Sequence, residues 1–178
     1  DVLEYTYDLP KGWTWISTHL DYNYNPNKQL TTNDLLKQLK AENGDLVRTI
    51  DVFDGYDTQA GWTGTISAKG GIKSGKGYKI FLSNANQLKY NGLLLKGDQV
   101  KIDVVKGWNW IGYVGFKNTP INQALAGFGN VSEGDVIKNQ YNLAIYTQNV
   151  GWVGDLTSLK PGEGYMMKTA QAGSFFYP

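Results

Sequence analysis

Cysteine is missing from this 178-residue chain, and it has only one histidine and two methionines. Without cysteine there is no disulfide framework, no thiol nucleophile and no thiolate metal site. Long apolar runs are missing too: nothing approaches the roughly 18 residues of a membrane span. The opening DVLEYTYDLP has neither a basic start nor an apolar stretch, and suits a processed or excised segment. Charge of one sign is not in excess, since 17 basic residues face 16 acidic ones. No strong field gathers nucleic acid or an anionic membrane.

Catalytic patterns are equally sparse. A serine hydrolase needs a nucleophile oriented by a base. His19 is the one candidate base, no GxSxG elbow occurs, and Val114 stands at the aligned place in the second half described below. Residues 73–77, KSGKG, fall short of a phosphate-binding GxxxxGK loop.

Glycine and aromatics fill the chain instead: 22 Gly, 12 Tyr and 6 Trp, with 41% hydrophobic and 19% charged residues. That composition predicts a packed core built from strands joined by glycine turns. The length suits one medium domain or two small ones, and internal pattern decides between them.

The pattern is a duplication. KGWTWIS at 11–17 returns as KGWNWIG at 106–112, and Gly44-Asp45-Leu46-Val47 returns as Gly134-Asp135-Val136-Ile137. Gly61-Trp62-Thr63-Gly64 matches Gly151-Trp152-Val153-Gly154, and IKSGKGY at 72–78 matches LKPGEGY at 159–165. Both copies run out to a tyrosine, Tyr90 and Tyr177. The offset between copies shrinks along the chain, as shorter loops in the second copy produce. Two units are expected, 1–92 and 93–178, joined too tightly to flex and packed as a rigid pair.

Each unit reads as mainly β with one short helix. The first strand is Trp13 to Leu20, with Trp13, Trp15 and Ser17 on one side and Thr14 and Ile16 on the other. Thr31-Thr32-Asn33-Asp34 offers caps for a helix through Leu35, Leu36 and Leu39. In the second copy Pro120 stands near the corresponding helix start. Leu46–Phe53, Gly61–Ile66, Gly77–Leu82, Leu93–Leu95 and Val100–Val104 read as strands.

Three chemistries can be assembled from side chains. Asp51, Asp54 and Asp57 cluster as a glycosidase pair would, or form a solvated acidic turn; the second copy has Asn142, Ala144 and Thr147 there. Asp21, Asn23, Asn25 and Asn27 alternate like calcium ligands, or build a turn, but lack the EF-hand glycine and terminal glutamate. Neither a metal nor a cofactor is therefore expected. The third is aromatic surface, because a sugar offers apolar C–H faces to a flat ring and hydroxyl edges to amides and carboxylates. Residues shared by both copies, such as Trp13, Trp15 and Trp62, are also what a common core requires. Rings in loops dense in Asn, Asp and Gln suit binding better. The candidate ligand-binding residues are Trp62, Tyr56, Asp54, Trp152, Tyr146, Tyr113 and Asn142.

These repeated phrases resemble a tandem repeat of secreted and cell-surface proteins of Bacteroidetes and related bacteria, and the resemblance spans essentially all 178 residues. Ser17 follows that pattern where Gly112 departs from it, and Ile137-Lys138-Asn139-Gln140 follows its IKSQ-like phrase where Val47-Arg48-Thr49 departs. The resemblance implies an extracellular or cell-surface location beside other domains of a parent chain. The combined expectation is a non-enzymatic carbohydrate-binding accessory module, its partner a polysaccharide or glycan, with no nucleic acid and no membrane insertion. The alternative is an adhesive or structural spacer repeat.

Overall fold

A computed structural model describes all residues, 1–178. The protein is mainly β. In chain order the first half contains β1 (Val2–Leu9), β2 (Gly12–Ile16), β3 (Leu20–Asp21), α1 (Asn33–Leu36), β4 (Leu46–Arg48), β5 (Phe53–Asp57), β6 (Gly61–Gly64), α2 (Thr65–Ala68), β7 (Tyr78–Leu82) and β8 (Asn86–Leu94). The second half contains β9 (Ile102–Val104), β10 (Gly107–Gly112), β11 (Thr119–Pro120), α3 (Ile121–Ala124), β12 (Val136–Lys138), β13 (Leu143–Thr147), β14 (Gly151–Gly154), β15 (Ser158–Leu159), β16 (Gly164–Thr169) and β17 (Gly173–Phe175).

Each half forms one five-stranded antiparallel sheet with the same connectivity. The order is β2-β7-β4-β5-β6 in the first and β10-β16-β12-β13-β14 in the second. Flanking strands pair separately, β1-β8-β3 in the first half and β9-β17 in the second. One apolar core gathers residues from Leu9 to Tyr90 and the other gathers residues from Ile102 to Tyr177. β8 carries its pairing on through Leu93, opposite Val2, and Leu94, opposite Leu20, while Leu95 packs on the second core.

The repeated phrases mark places where backbone and side chain interlock. Asp45 accepts from Glu42 N and from both N and Oγ of Ser83, and Asp135 accepts from Ser132 N and Ala170 N, so each GD pair ties its sheet to a neighbouring turn. Asn33 brackets Trp62 through that residue's N–H and C=O, as Asn122 brackets Trp152. In the KxGxGY loops the Tyr78 and Tyr165 hydroxyls accept from Lys73 N and Lys160 N.

Several expected boundaries move. The first strand breaks after Ile16, because Ser17 turns its N–H to Gly162 O in the other half. Leu46–Phe53 is two strands, joined by a turn in which Thr49 N donates to Val52 O. Of the stretch read as an acidic turn or carboxylate pair, Phe53–Asp57 is strand β5, which points Asp54 inward, while Asp51 stays in an exposed bend before it and Asp57 accepts from Gln59 N and Ala60 N in the exposed turn after it. Gly61–Ile66 is strand only to Gly64. Beyond it Asp54 accepts from Ile66 N, Ser67 N and Ser67 Oγ and winds α2. The second copy has Ala144 at that place and no such acceptor; its chain continues extended as β15. Asp21, Asn23 and Asn25 each accept from the backbone N–H two residues on, which spends one oxygen of each on consecutive Asx turns.

Candidate functional site

Period-two alternation sorts the sheet residues. Thr14, Ile16, Val47, Tyr78 and Ile80 face the first core, and Trp13, Trp15, Leu46, Arg48, Lys79 and Phe81 face out. In the second sheet Asn109, Ile111, Ile137, Tyr165 and Met167 face in; Trp108, Trp110, Val136, Lys138, Met166 and Lys168 face out. A solvent-facing antiparallel sheet normally carries polar side chains. Here the outward rows of the three adjoining strands in each sheet hold aromatic, aliphatic and cationic residues and no carboxylate.

The two outward faces meet at a seam built by reciprocal contacts. Ile16 bridges to Glu163 and Lys76 to Ile111. Ser17 N donates to Gly162 O at 2.9 Å, and its counterpart Gly112 N donates to Gly75 O at 3.0 Å. These two bridges and two hydrogen bonds are exchanged between equivalent residues of the halves, whereas Ser17 Oγ to Glu163 O and Gly77 N to Trp110 O have no counterpart. Across the seam, Gln140 Nε2 donates to Trp13 O at 2.7 Å.

At the centre of the seam the Lys79 ammonium lies 4.1 Å from the Trp15 ring centroid and 4.2 Å from that of Trp110. Arg48 reaches from the first sheet to the Trp110 ring at 5.5 Å, and Lys138 sits 5.2 Å from Trp108. Trp13 tilts against Phe81 at 5.4 Å between ring centroids and is 42% exposed. Trp13, Trp15, Arg48, Lys79 and Trp110 line an open depression of about 500 Å³. Burial lowers the Lys79 pKa from its ordinary value, and the nearby Lys138 and Arg48 charges lower it further.

The residues expected to bind are placed differently. Trp62 is 1% exposed and Trp152 7%, each sealed in its own core, so neither offers a face to a ligand. Tyr56 and Tyr146 stand edge-on to those indoles at 5.3 and 5.5 Å and are half-buried packing partners. Tyr113 is buried, edge-on to Tyr177 and hydrogen-bonded to Thr119. Asp54 is fully buried and spent on α1 and α2, since it also accepts from Thr32 Oγ1 at 2.5 Å. Asn142 is committed to a turn, with its N–H on Asn139 Oδ1 and its amide on Asp155. These seven residues are divided between the two halves, and within the second half Tyr113 packs on Tyr177 while Tyr146 packs on Trp152.

Of the seam residues, the phrase KGWTWIS shows two. Trp13 and Trp15 share a face at spacing two, and Lys79 and Phe81 repeat that spacing on the strand beside them, with Trp13 opposite Phe81 and Trp15 opposite Lys79. No protein-family model, curated protein or solved structure matches this chain. No helix is long and apolar enough to cross a membrane.

Proposed function

We propose that the protein is a non-catalytic carbohydrate-binding module whose site is the tryptophan face at the seam between its two sheets. The observation that carries this reading is the row of partly exposed indoles, Trp13, Trp15, Trp108 and Trp110, held on rigid strands and shared by both copies. Indoles on strands keep their orientation, so stacking a pyranose ring costs little side-chain entropy. The cross-seam contacts let the two units act as one body, so one glycan chain can run over both. The extracellular or cell-surface setting implied by the resemblance supplies such chains and the neighbouring domains of a parent protein.

Affinity electrophoresis through gels containing single polysaccharides tests this. Retardation by at least one glycan is expected, and Trp13→Ala or Trp110→Ala should weaken it about tenfold, the loss of roughly 1.4 kcal/mol of stacking. Retardation by no glycan in a broad panel would remove the proposal. A second reading, adhesive or spacer repeat, draws on the outward face of β13 and β14. Leu143, Ile145 and Val153 lie exposed there, as a surface awaiting a neighbouring domain would. Binding unaffected by either tryptophan substitution would favour it.

A further inference from the structure

The seam carries more than stacking surface, and its chemistry narrows the ligand. Lys79 has no carboxylate within ion-pair distance: the chain's ion pairs are Lys28–Asp34, Lys89–Glu4 and Lys101–Asp103. Its ammonium makes one hydrogen bond, to the thioether sulfur of Met166 at 3.2 Å, and otherwise meets two indole faces. Sulfur is a weak acceptor and a ring face is none, so a partly desolvated ammonium is left without an oxygen partner. Arg48 and Lys138 bring two more unpaired cations toward it from opposite halves. Like charges brought together over low-dielectric rings repel, and an anion entering the depression relieves that repulsion.

We infer that the seam binds an anionic sugar, its ring stacked on an exposed indole and its acid group, a carboxylate or a sulfate ester, seated against Lys79 between Arg48 and Lys138. This rests on the carbohydrate reading above and deepens it. Single-stranded nucleic acid also pairs phosphates with stacked rings, but it needs a cationic groove tracking the backbone over successive nucleotides. Here Arg48 and Lys138 stand near enough to Lys79 to act on its charge, Lys168 lies beyond them over Trp108, and the net charge of the whole chain is only +1. A single acid group beside a ring fits that grouping.

The pseudo-symmetry provides a clean variant. Met166 stands opposite Trp110 as Lys79 stands opposite Trp15, so the same backbone setting already accepts methionine. Lys79→Met therefore removes the charge with the packing kept, and near-ultraviolet circular dichroism checks that. Lys138→Gln is the second variant, from outside the reciprocal backbone contacts.

The measurement is binding of the intact protein to four probes in two matched pairs. These are polygalacturonate with its methyl ester, and dextran sulfate with neutral dextran. The expected result is preference for the charged member of at least one pair, and which pair tells carboxylate from sulfate. That preference should weaken as salt rises, fall about tenfold in Lys79→Met as one charge-assisted contact is lost, and fall less in Lys138→Gln. Equal binding within both pairs, or tight binding unchanged in both variants, overturns the anionic preference and leaves the carbohydrate reading standing. Binding to none of the four, with no retardation by other glycans, removes both. Stronger binding to oligodeoxythymidylate than to any of the four overturns the inference in favour of a nucleic-acid ligand.

Discussion

Asp54 is one side chain that alters an element. Its carboxylate is fully buried and takes hydrogen bonds from Thr32 Oγ1, Ile66 N, Ser67 N and Ser67 Oγ, fastening α2 beneath β5. Asp54→Ala strands those donors inside the core, and a loss of about 2–4 kcal/mol is expected in urea unfolding. Asp51→Ala, an exposed neighbour in the same stretch, should leave the midpoint in place. His19 acts through burial instead. It is 4% exposed, lies edge-on to Tyr5 at 4.3 Å, and desolvation pushes its pKa down from 6.5 to about 4. Above pH 6.5 neither folded nor unfolded chain holds that proton. As pH falls toward 4 the unfolded chain takes it up and the folded one does not, so stability drops through that window, by on the order of 2–3 kcal/mol. Below pH 4 the penalty stays constant. His19→Val, which copies the buried Val114 of the second half, should flatten the pH dependence of the melting temperature between 6.5 and 4. An unchanged slope would mean that another group carries it.

Elements show what the sequence made legible and what it hid. The duplication was plain, because paired glycines and capping side chains sit at fixed places in both copies. Gly61 and Gly151, with φ of 77° and 109°, crowd Asn33 and Asn122, which is why GW recurs as a unit. The β-rich character followed from the same turns. The helix α2 was hidden, since Thr65 and Ile66 favour strands and only a distant carboxylate makes the N-terminus of that helix. β1, VLEYTYDL, is hard to read although it alternates, because its partner β8 is distant in sequence, with Leu9 opposite Asn86 and Val2 opposite Leu93. The seam face was half legible. Alternation places Trp13 and Trp15 on one side of β2, but period two carries no sign: it separates the faces and leaves open which is wet. That both copies share the indoles suits a common core equally well, and the sheet places Thr14 and Ile16 there instead. The cations opposite those indoles were the readable clue, since a buried face would hardly hold Arg48, Lys79, Lys138 and Lys168 without carboxylates.

At the scale of the whole molecule, the seam makes two similar units resemble a dimer on one chain. Gly77 and Gly164 bring backbone against backbone across it. A Cβ on Gly77 would lie 2.7 Å from Ile111 O, and one on Gly164 would lie 2.7 Å from Ile16 O, both against backbone that has no rotamer to yield. Gly164→Ala should therefore push the sheets apart and cost about 1–3 kcal/mol. Gly55→Ala, with open space at its Cβ, should be close to neutral. The larger consequence concerns cooperativity. Trp62 and Trp152 are buried in different cores and report on each half separately once tryptophan carries a fluorine label. With the seam intact, separation of the halves exposes backbone groups that now pair across it, so the two resonances should lose native intensity at one urea concentration. In Gly164→Ala the Trp62 and Trp152 midpoints should part, and binding at Lys79 should weaken with them because its two flanking indoles belong to different halves. Coincident midpoints in that variant, or separate midpoints in the parent protein, would show that the units fold independently and that the seam contributes no cooperativity.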